Sequence, residues 1–214
     1  MNIEGGGVED EFLSVEPNTL RTLFAFHRDE LESAVPFLGA AEDNLRHLIA
    51  IEEGARYDWD STGTAWQKIA DKGSIVFVFA HSDGDYLQLS NNSQLDCITF
   101  SDLLRKEICT APTLLILNCC FSATGREGAS LLSCVARRGF CGLIGTEAEV
   151  LNTYALRCGT YLMWTWCTDP NSITLGEAFD RMQREPSLFP VNLFYTCYAS
   201  RDFRLNSPLP LAHG

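Results

Sequence analysis

The sequence predicts a three-layer α/β sandwich with a mainly parallel central sheet. Three observations lead there. Two apolar runs of strand length, Val76-Phe77-Val78-Phe79-Ala80 and Leu114-Leu115-Ile116-Leu117, contain no polar residue, as strands buried on both faces do. Segments with helical spacing lie between such runs, and strand–helix alternation marks a parallel sheet covered by helices. The chain has 214 residues, 46% hydrophobic and 21% charged, which fits one large domain or two small ones with a sizeable core.

Taken in order, residues 1–18 form an acidic leader. Glu4, Glu9, Asp10, Glu11 and Glu16 occur there with no Lys or Arg. Leu20 to Phe26 is the first expected strand. Pro36 to Glu53 has Leu38, Ala41, Leu45, Leu48 and Ile49 on one helical stripe. A shorter helix over Ser61 to Ala70 leads into the strand Ser74 to Ala80. A hairpin-like piece, Tyr86 to Leu89, follows His81. A helix starts near Phe100 to Leu104 with Ser101 as its cap, and Thr113 to Asn118 is the second central strand.

Beyond Cys120, a helix is expected near Gly128 to Arg138, ended by Gly139 in a left-handed cap. Gly142 to Gly145 is a short buried strand. Tyr154 to Cys167 and Leu175 to Arg184 are helices, and Asn192 to Tyr198 is the closing strand. The domain spans 19–206, with a tail over 207–214.

Composition narrows the function. A net charge of −12 argues against nucleic acid, which needs a basic footprint. No apolar run reaches the roughly 18 residues of a membrane span. The N-terminus has neither the basic head nor the apolar stretch of a secretory signal. The nine cysteines are odd in number, which fits reduced thiols in a cytoplasm. No CxxC occurs, no His sits at ligand spacing from a Cys pair, and no phosphate loop or dinucleotide fingerprint is present, so no metal or cofactor is expected.

The chemistry is carried by what ends the two apolar runs: His81 and Asn118-Cys119-Cys120. Ligands of open parallel sheets bind outside the carboxyl ends of the strands. A His and a Cys brought to that edge can form a thiolate–imidazole pair, the minimum for a cysteine peptidase. His81 precedes Cys120 by 39 positions (120 − 81). Papain-like enzymes have the opposite order, whereas caspase-type enzymes place the His first. The caspase QAC signature is absent.

Five segments over about 74–205 resemble, in order, the CHAT family of caspase-fold cysteine peptidases. Phe79-Ala80-His81-Ser82-Asp83-Gly84-Asp85-Tyr86-Leu87-Gln88-Leu89 is similar to its histidine strand and hairpin. Leu117-Asn118-Cys119-Cys120-Phe121-Ser122-Ala123 is similar to its cysteine turn. Gly142 to Val150 resembles the next strand and loop, Leu175-Gly176-Glu177-Ala178-Phe179 its "LGEAL" helix, and Phe194-Tyr195-Thr196-Cys197-Tyr198, followed by Asp202-Phe203-Arg204-Leu205, its closing strand. The chain departs from the pattern twice. Ser82 and Asp83 separate His81 from Gly84, where relatives have Gly directly after the His. Cys119 stands where relatives commonly have Ala.

The resemblance implies a cysteine endopeptidase with a Cys120–His81 dyad. The oxyanion would be met by the Cys120 amide and an amide from Ser82 to Gly84. Asp83, Glu147 and Glu149, on loops bordering the cleft, could bind a basic P1 side chain or be solvated loop charge. It further implies a dedicated protein substrate, such as a gasdermin-like protein, a regulatory sensor in trans, and a role in bacterial antiphage defence or programmed cell death. Alternation of strand faces directs one of Cys119 and Cys120 to the cleft and the other to the core. His27, His47 and His213 fall outside the pattern. Two other readings remain: an inactive caspase-like scaffold that binds a partner, and a redox sensor. The sensor is the weaker, because a disulfide spans Cα atoms about 4.4–6.8 Å apart and neighbours lie about 3.8 Å apart.

Overall fold

The structure, a computed structural model, describes residues 14–15, 21–51, 55–58, 74–92, 94–100, 113–124, 130–136 and 141–205. The expected helix over 61–70, the Gly139 cap, the tail and all of the leader except 14–15 lie outside these residues, whereas the helix expected to start at Ser101 is already under way at 97–100, because Asp96 accepts from the amides of Ile98 and Thr99. In chain order the strands are β1 (Ser14–Val15), β2 (Arg21–Phe26), β3 (Ala55–Arg56), β4 (Ser74–Phe79), β5 (His81–Ser82), β6 (Tyr86–Gln88), β7 (Gln94–Asp96), β8 (Thr113–Leu117), β9 (Gly142–Thr146), β10 (Tyr195–Ala199) and β11 (Arg204–Leu205). The helices are α1 (Arg28–Ala34), α2 (Ala40–Ile51), α3 (Leu131–Ala136), α4 (Asn152–Thr168) and α5 (Leu175–Arg184).

Six strands form the central sheet in the order β10-β9-β8-β4-β2-β3. All pairs are parallel except β10 against β9. Every residue of β8 and β9 is buried, which is why these strands read as unbroken apolar runs. The pleat divides the side chains between two cores. Phe24, Phe26, Phe77, Phe79, Leu114 and Ile116 meet α1, α2, α4 and α5 on one face. Leu23, Ala25, Val76, Val78, Leu115 and Leu117 meet α3 and the small antiparallel sheet β5-β6-β7 on the other. This is the three-layer architecture expected from the alternation.

Two differences from expectation concern the closing strand and the first helix. The strand expected from Asn192 begins only at Tyr195, and 191–194 is a 3-10 turn. The reason is Asn192, whose buried amide donates to the carbonyls of Met182, Gln183 and Glu185 and so ties that segment to the end of α5. The other is α1, which the sequence did not announce. It is seven residues long, too short for a clear stripe, and its N-cap is His27 rather than a Ser, Thr, Asp or Asn.

Candidate active site

Three strands in the middle of the sheet deliver chemistry to its carboxyl edge. Strands β4 and β8 pair with a constant offset of 39, from Ser74 opposite Thr113 to Val78 opposite Leu117. The ladder runs one step further, since the Asn118 amide donates to the Val78 carbonyl at 2.7 Å. Beyond that point the ladder ends: His81 enters the small sheet opposite Gln88, and Cys120 lies in a turn. Both positions also share a face. Phe77 and Phe79 precede His81 on the helix-covered side, and Cys120 packs against that same core.

The cysteine turn is held from several sides. Ser122 donates to the Leu117 carbonyl at 2.6 Å and accepts from the Thr146 amide at 3.1 Å, linking the ends of β8 and β9. Thr146 donates its hydroxyl to the Cys119 carbonyl at 2.8 Å. Asn118 is fully buried. It donates to the Ala155 carbonyl at 2.9 Å and accepts from the Tyr195 hydroxyl. Phe121 has φ +54°, a left-handed conformation that costs a residue with a side chain roughly 1–2 kcal/mol and recurs at functional sites.

The two thiols differ in environment. Cys119 is buried in the core shared with α3, and burial pushes its thiol up to about 12, against the opposing effect of the Ser122 and Ser82 hydroxyls. Cys120 is partly buried. Its Sγ accepts from the Val150 amide at 3.4 Å and faces the Val150 carbonyl at 3.6 Å. Among the described residues, no hydrogen bond joins Cys120 to His81.

His81 has a different partner. Its Nε2 lies 2.5 Å from Oε1 of Glu30, in the first turn of α1. The Glu30 side chain is 17% exposed and that of His81 49%. His27 packs edge-on against His81, with ring centroids 4.7 Å apart. It is buried, and its backbone amide donates to the Phe79 carbonyl at 2.7 Å. Burial, with His81 adding to it, holds the His27 imidazole below its ordinary pKa. Neither His27 nor Glu30 stood out in the sequence. The available signal was the spacing itself: β2 pairs with β4 at an offset of 53, which brings the residues after Phe26 beside His81.

The remaining expected residues border the same edge. Gly84 has φ +98°, and a Cβ there would lie 3.2 Å from the Phe121 carbonyl oxygen, so the histidine loop and the cysteine turn are in contact. The Gly84 amide donates to Ser82 Oγ at 3.0 Å. Asp83 accepts from the amides of Asp85 at 2.9 Å and Tyr86 at 3.3 Å, closing the turn into β6. Glu147 is exposed and accepts from the Thr196 hydroxyl at 2.8 Å and the Tyr198 hydroxyl at 3.3 Å. Glu149 is exposed one residue before Val150.

No protein-family model matches the chain, and no curated protein matches its sequence. Solved structures do match its fold. Caspase-1 from Spodoptera frugiperda superposes with a TM-score of 0.52 at 11% identity, over 95% of this chain and 92% of that one. The fold is caspase-like. Saccharomyces cerevisiae separase, solved in complex with securin, superposes with a TM-score of 0.54 at 11% identity over 90% of this chain. The chain spans only 12% of the separase polypeptide.

Proposed function

We propose that this caspase-like chain is a cysteine endopeptidase in which Cys120 is the nucleophile and His81 the general base and acid. The observation that carries this reading is that the histidine loop and the cysteine turn, which follow the paired strands β4 and β8, touch at the carboxyl edge of the sheet, where a Cβ on Gly84 would lie 3.2 Å from the Phe121 carbonyl oxygen. Adjacent strands lie about 4.8 Å apart, so a thiol and an imidazole carried just beyond two such strands lie within reach of a shared substrate. Glu30 positions the imidazole. It accepts the Nε2 proton, which leaves the Nδ1 lone pair for the thiol.

Proton transfer from Cys120 to Nδ1 gives the thiolate, which attacks the scissile carbonyl carbon. The oxyanion is met by the Cys120 amide and by the Gly84 amide, which exchanges the Ser82 hydroxyl for it. His81 returns the proton to the leaving amine, and the C–N bond breaks. The thioester left on Cys120 is hydrolysed by water that His81 deprotonates.

The acids Asp83, Glu147 and Glu149 at the rim favour a basic P1 residue. A charge-assisted hydrogen bond of about 1.5–3 kcal/mol is worth roughly 10- to 150-fold in preference. The CHAT resemblance extends the reading to a dedicated, gasdermin-like substrate in antiphage defence or programmed cell death, under a sensor acting in trans. The securin complex of separase offers a caspase-fold precedent for binding a protein partner.

One observation favours a second reading, a scaffold without turnover: Sγ of Cys120 bonds to Val150 rather than to His81. A peptide-library cleavage profile with wild type and Cys120→Ala separates the two. Cleavage after Lys or Arg that the substitution abolishes supports the peptidase. Partner binding without cleavage by either protein supports the scaffold.

A further inference from the structure

Beside the proposed dyad, two imidazoles and a carboxylate converge. One ligand atom each from His27, Glu30 and His81 lies within 4.8 Å of the other two. We propose that these three residues form a binding site for a divalent transition-metal ion of the zinc type, and that its occupancy withdraws His81 from Cys120. The second half rests on the peptidase reading, but the first does not.

The donor set decides the class of ion. Two His and one Glu match the ligands of three-coordinate protein zinc sites that keep a fourth position open. Imidazole suits zinc, copper and nickel, while magnesium and calcium require mainly oxygen ligands. Bond lengths of about 2.0–2.2 Å to nitrogen and oxygen place ligand atoms of a tetrahedral ion about 3.3 Å apart. The present cluster brackets that value. His81 Nε2 and Glu30 Oε1, at 2.5 Å, would open slightly as the ion enters between them and the ring proton moves to Nδ1. The remaining pairs close from at most 4.8 Å.

The backbone holds all three residues in place. The amide of His27 is bonded to Phe79, Glu30 sits in the first turn of α1, and His81 pairs with Gln88 of β6. The half-exposed His81 gives the ion a way in from solvent. Arg28, the nearest basic residue in sequence, is turned away, its guanidinium 4.5 Å over the Tyr57 ring. A metal on Nε2 of His81 would leave the ring's one proton on Nδ1, so the imidazole would have no lone pair left to take the proton of Cys120. No metal was expected from sequence because positions 27, 30 and 81 share no local spacing. They meet only through the pairing of β2 with β4.

The test uses the whole chain in reductant that does not chelate metal, with His27→Asn as the main variant. Asn keeps an N-cap side chain and all nine cysteines stay in place. Zinc affinity is measured by competition with a chromogenic chelator, and cobalt is added to read ligand type from its visible spectrum. Wild type should bind one zinc at this site, with a cobalt spectrum free of strong thiolate charge-transfer bands. His27→Asn, Glu30→Gln and His81→Asn should each weaken binding at least about tenfold, the low end of the loss from removing even an outer-shell partner. Unchanged affinity in all three, a thiolate spectrum, or equal binding of magnesium would overturn the site. Peptide cleavage is assayed in parallel. Zinc should inhibit the wild type, and His27→Asn, referred to its own zinc-free rate, should need at least about tenfold more zinc for half-inhibition. Equal inhibition of both would overturn the regulatory half. A chain that binds zinc as expected but cleaves nothing would refute the peptidase and leave the metal site standing.

Discussion

Adjacent in sequence, Cys119 and Cys120 face opposite cores, and their chemistry follows from that. Cys119 is sealed beside α3 with its thiol held up to about 12, so at neutral pH it carries almost no thiolate. Cys120→Ala should therefore abolish peptide cleavage, and Cys119→Ala should retain most of it. Steady-state assays on the two purified variants, with circular dichroism to verify folding, check this. A fully active Cys120→Ala would reject the nucleophile. At the base, His81→Ala should cost at least about 100-fold in kcat, the low end for general acid–base catalysis. Glu30→Gln should cost about 10-fold in kcat with little change in KM. Loss of the triad carboxylate costs a serine protease about 10⁴-fold, but Glu30 is in contact with solvent and its amide analogue can still accept the Nε2 proton. A raised KM at unchanged kcat would show that Glu30 binds substrate instead. His81 and Cys120 stood out in the sequence as candidates because each closely follows an apolar strand. Glu30 and His27 did not, because the helix that carries them is short and begins on an atypical cap.

At the scale of elements, the site depends on close approach of the cysteine turn to β9. A Cβ on Gly145 would lie 2.6 Å from Ser122 Oγ and 3.2 Å from the Ala123 amide. That hydroxyl bridges Leu117 and Thr146, so Gly145→Ala would push apart the two strand ends that set the position of Cys120. The expected outcome is a loss of about 1–3 kcal/mol of stability, typical of overpacking, together with a fall in kcat. Urea unfolding and cleavage assays on the same preparation read both. Unaltered stability would mean that the turn can shift without cost. The strands were the most readable elements, since burial on both faces forces β4 and β8 to be continuously apolar. The closing segment was misread at its start because nothing local reveals that Asn192 folds back onto the carbonyls at the end of α5. The three-residue cluster was invisible for a related reason: register between strands is a property of the sheet and not of any one segment.

For the whole molecule, thiols in and against the core couple the fold to alkaline pH. Burial raises Cys119, Cys141 and Cys158 to about 12 from an ordinary 9.0. They sit at the end of β8, at the entry to β9 and within α4, so they sample the core widely. Below about pH 8 all three keep nearly all their protons in both the folded and the unfolded chain, and stability is indifferent to them. Between about 9 and 12 the unfolded chain releases protons that the folded chain retains. The unfolded state then binds fewer protons, and the stability of the fold falls as pH rises. Tyr195, also buried and shifted upward, acts in the same direction at higher pH. The urea midpoint, measured under reducing conditions from pH 7 to 10.5, should be level to about pH 8.5 and decline above it. Cys158→Ala lowers the starting stability by opening space beside α4, yet its decline should be shallower, because one of the protons is gone. The slope and not the midpoint is therefore the decisive reading. A midpoint that stays constant to pH 10.5, or a slope identical in wild type and Cys158→Ala, would mean that these thiols open to solvent before they titrate.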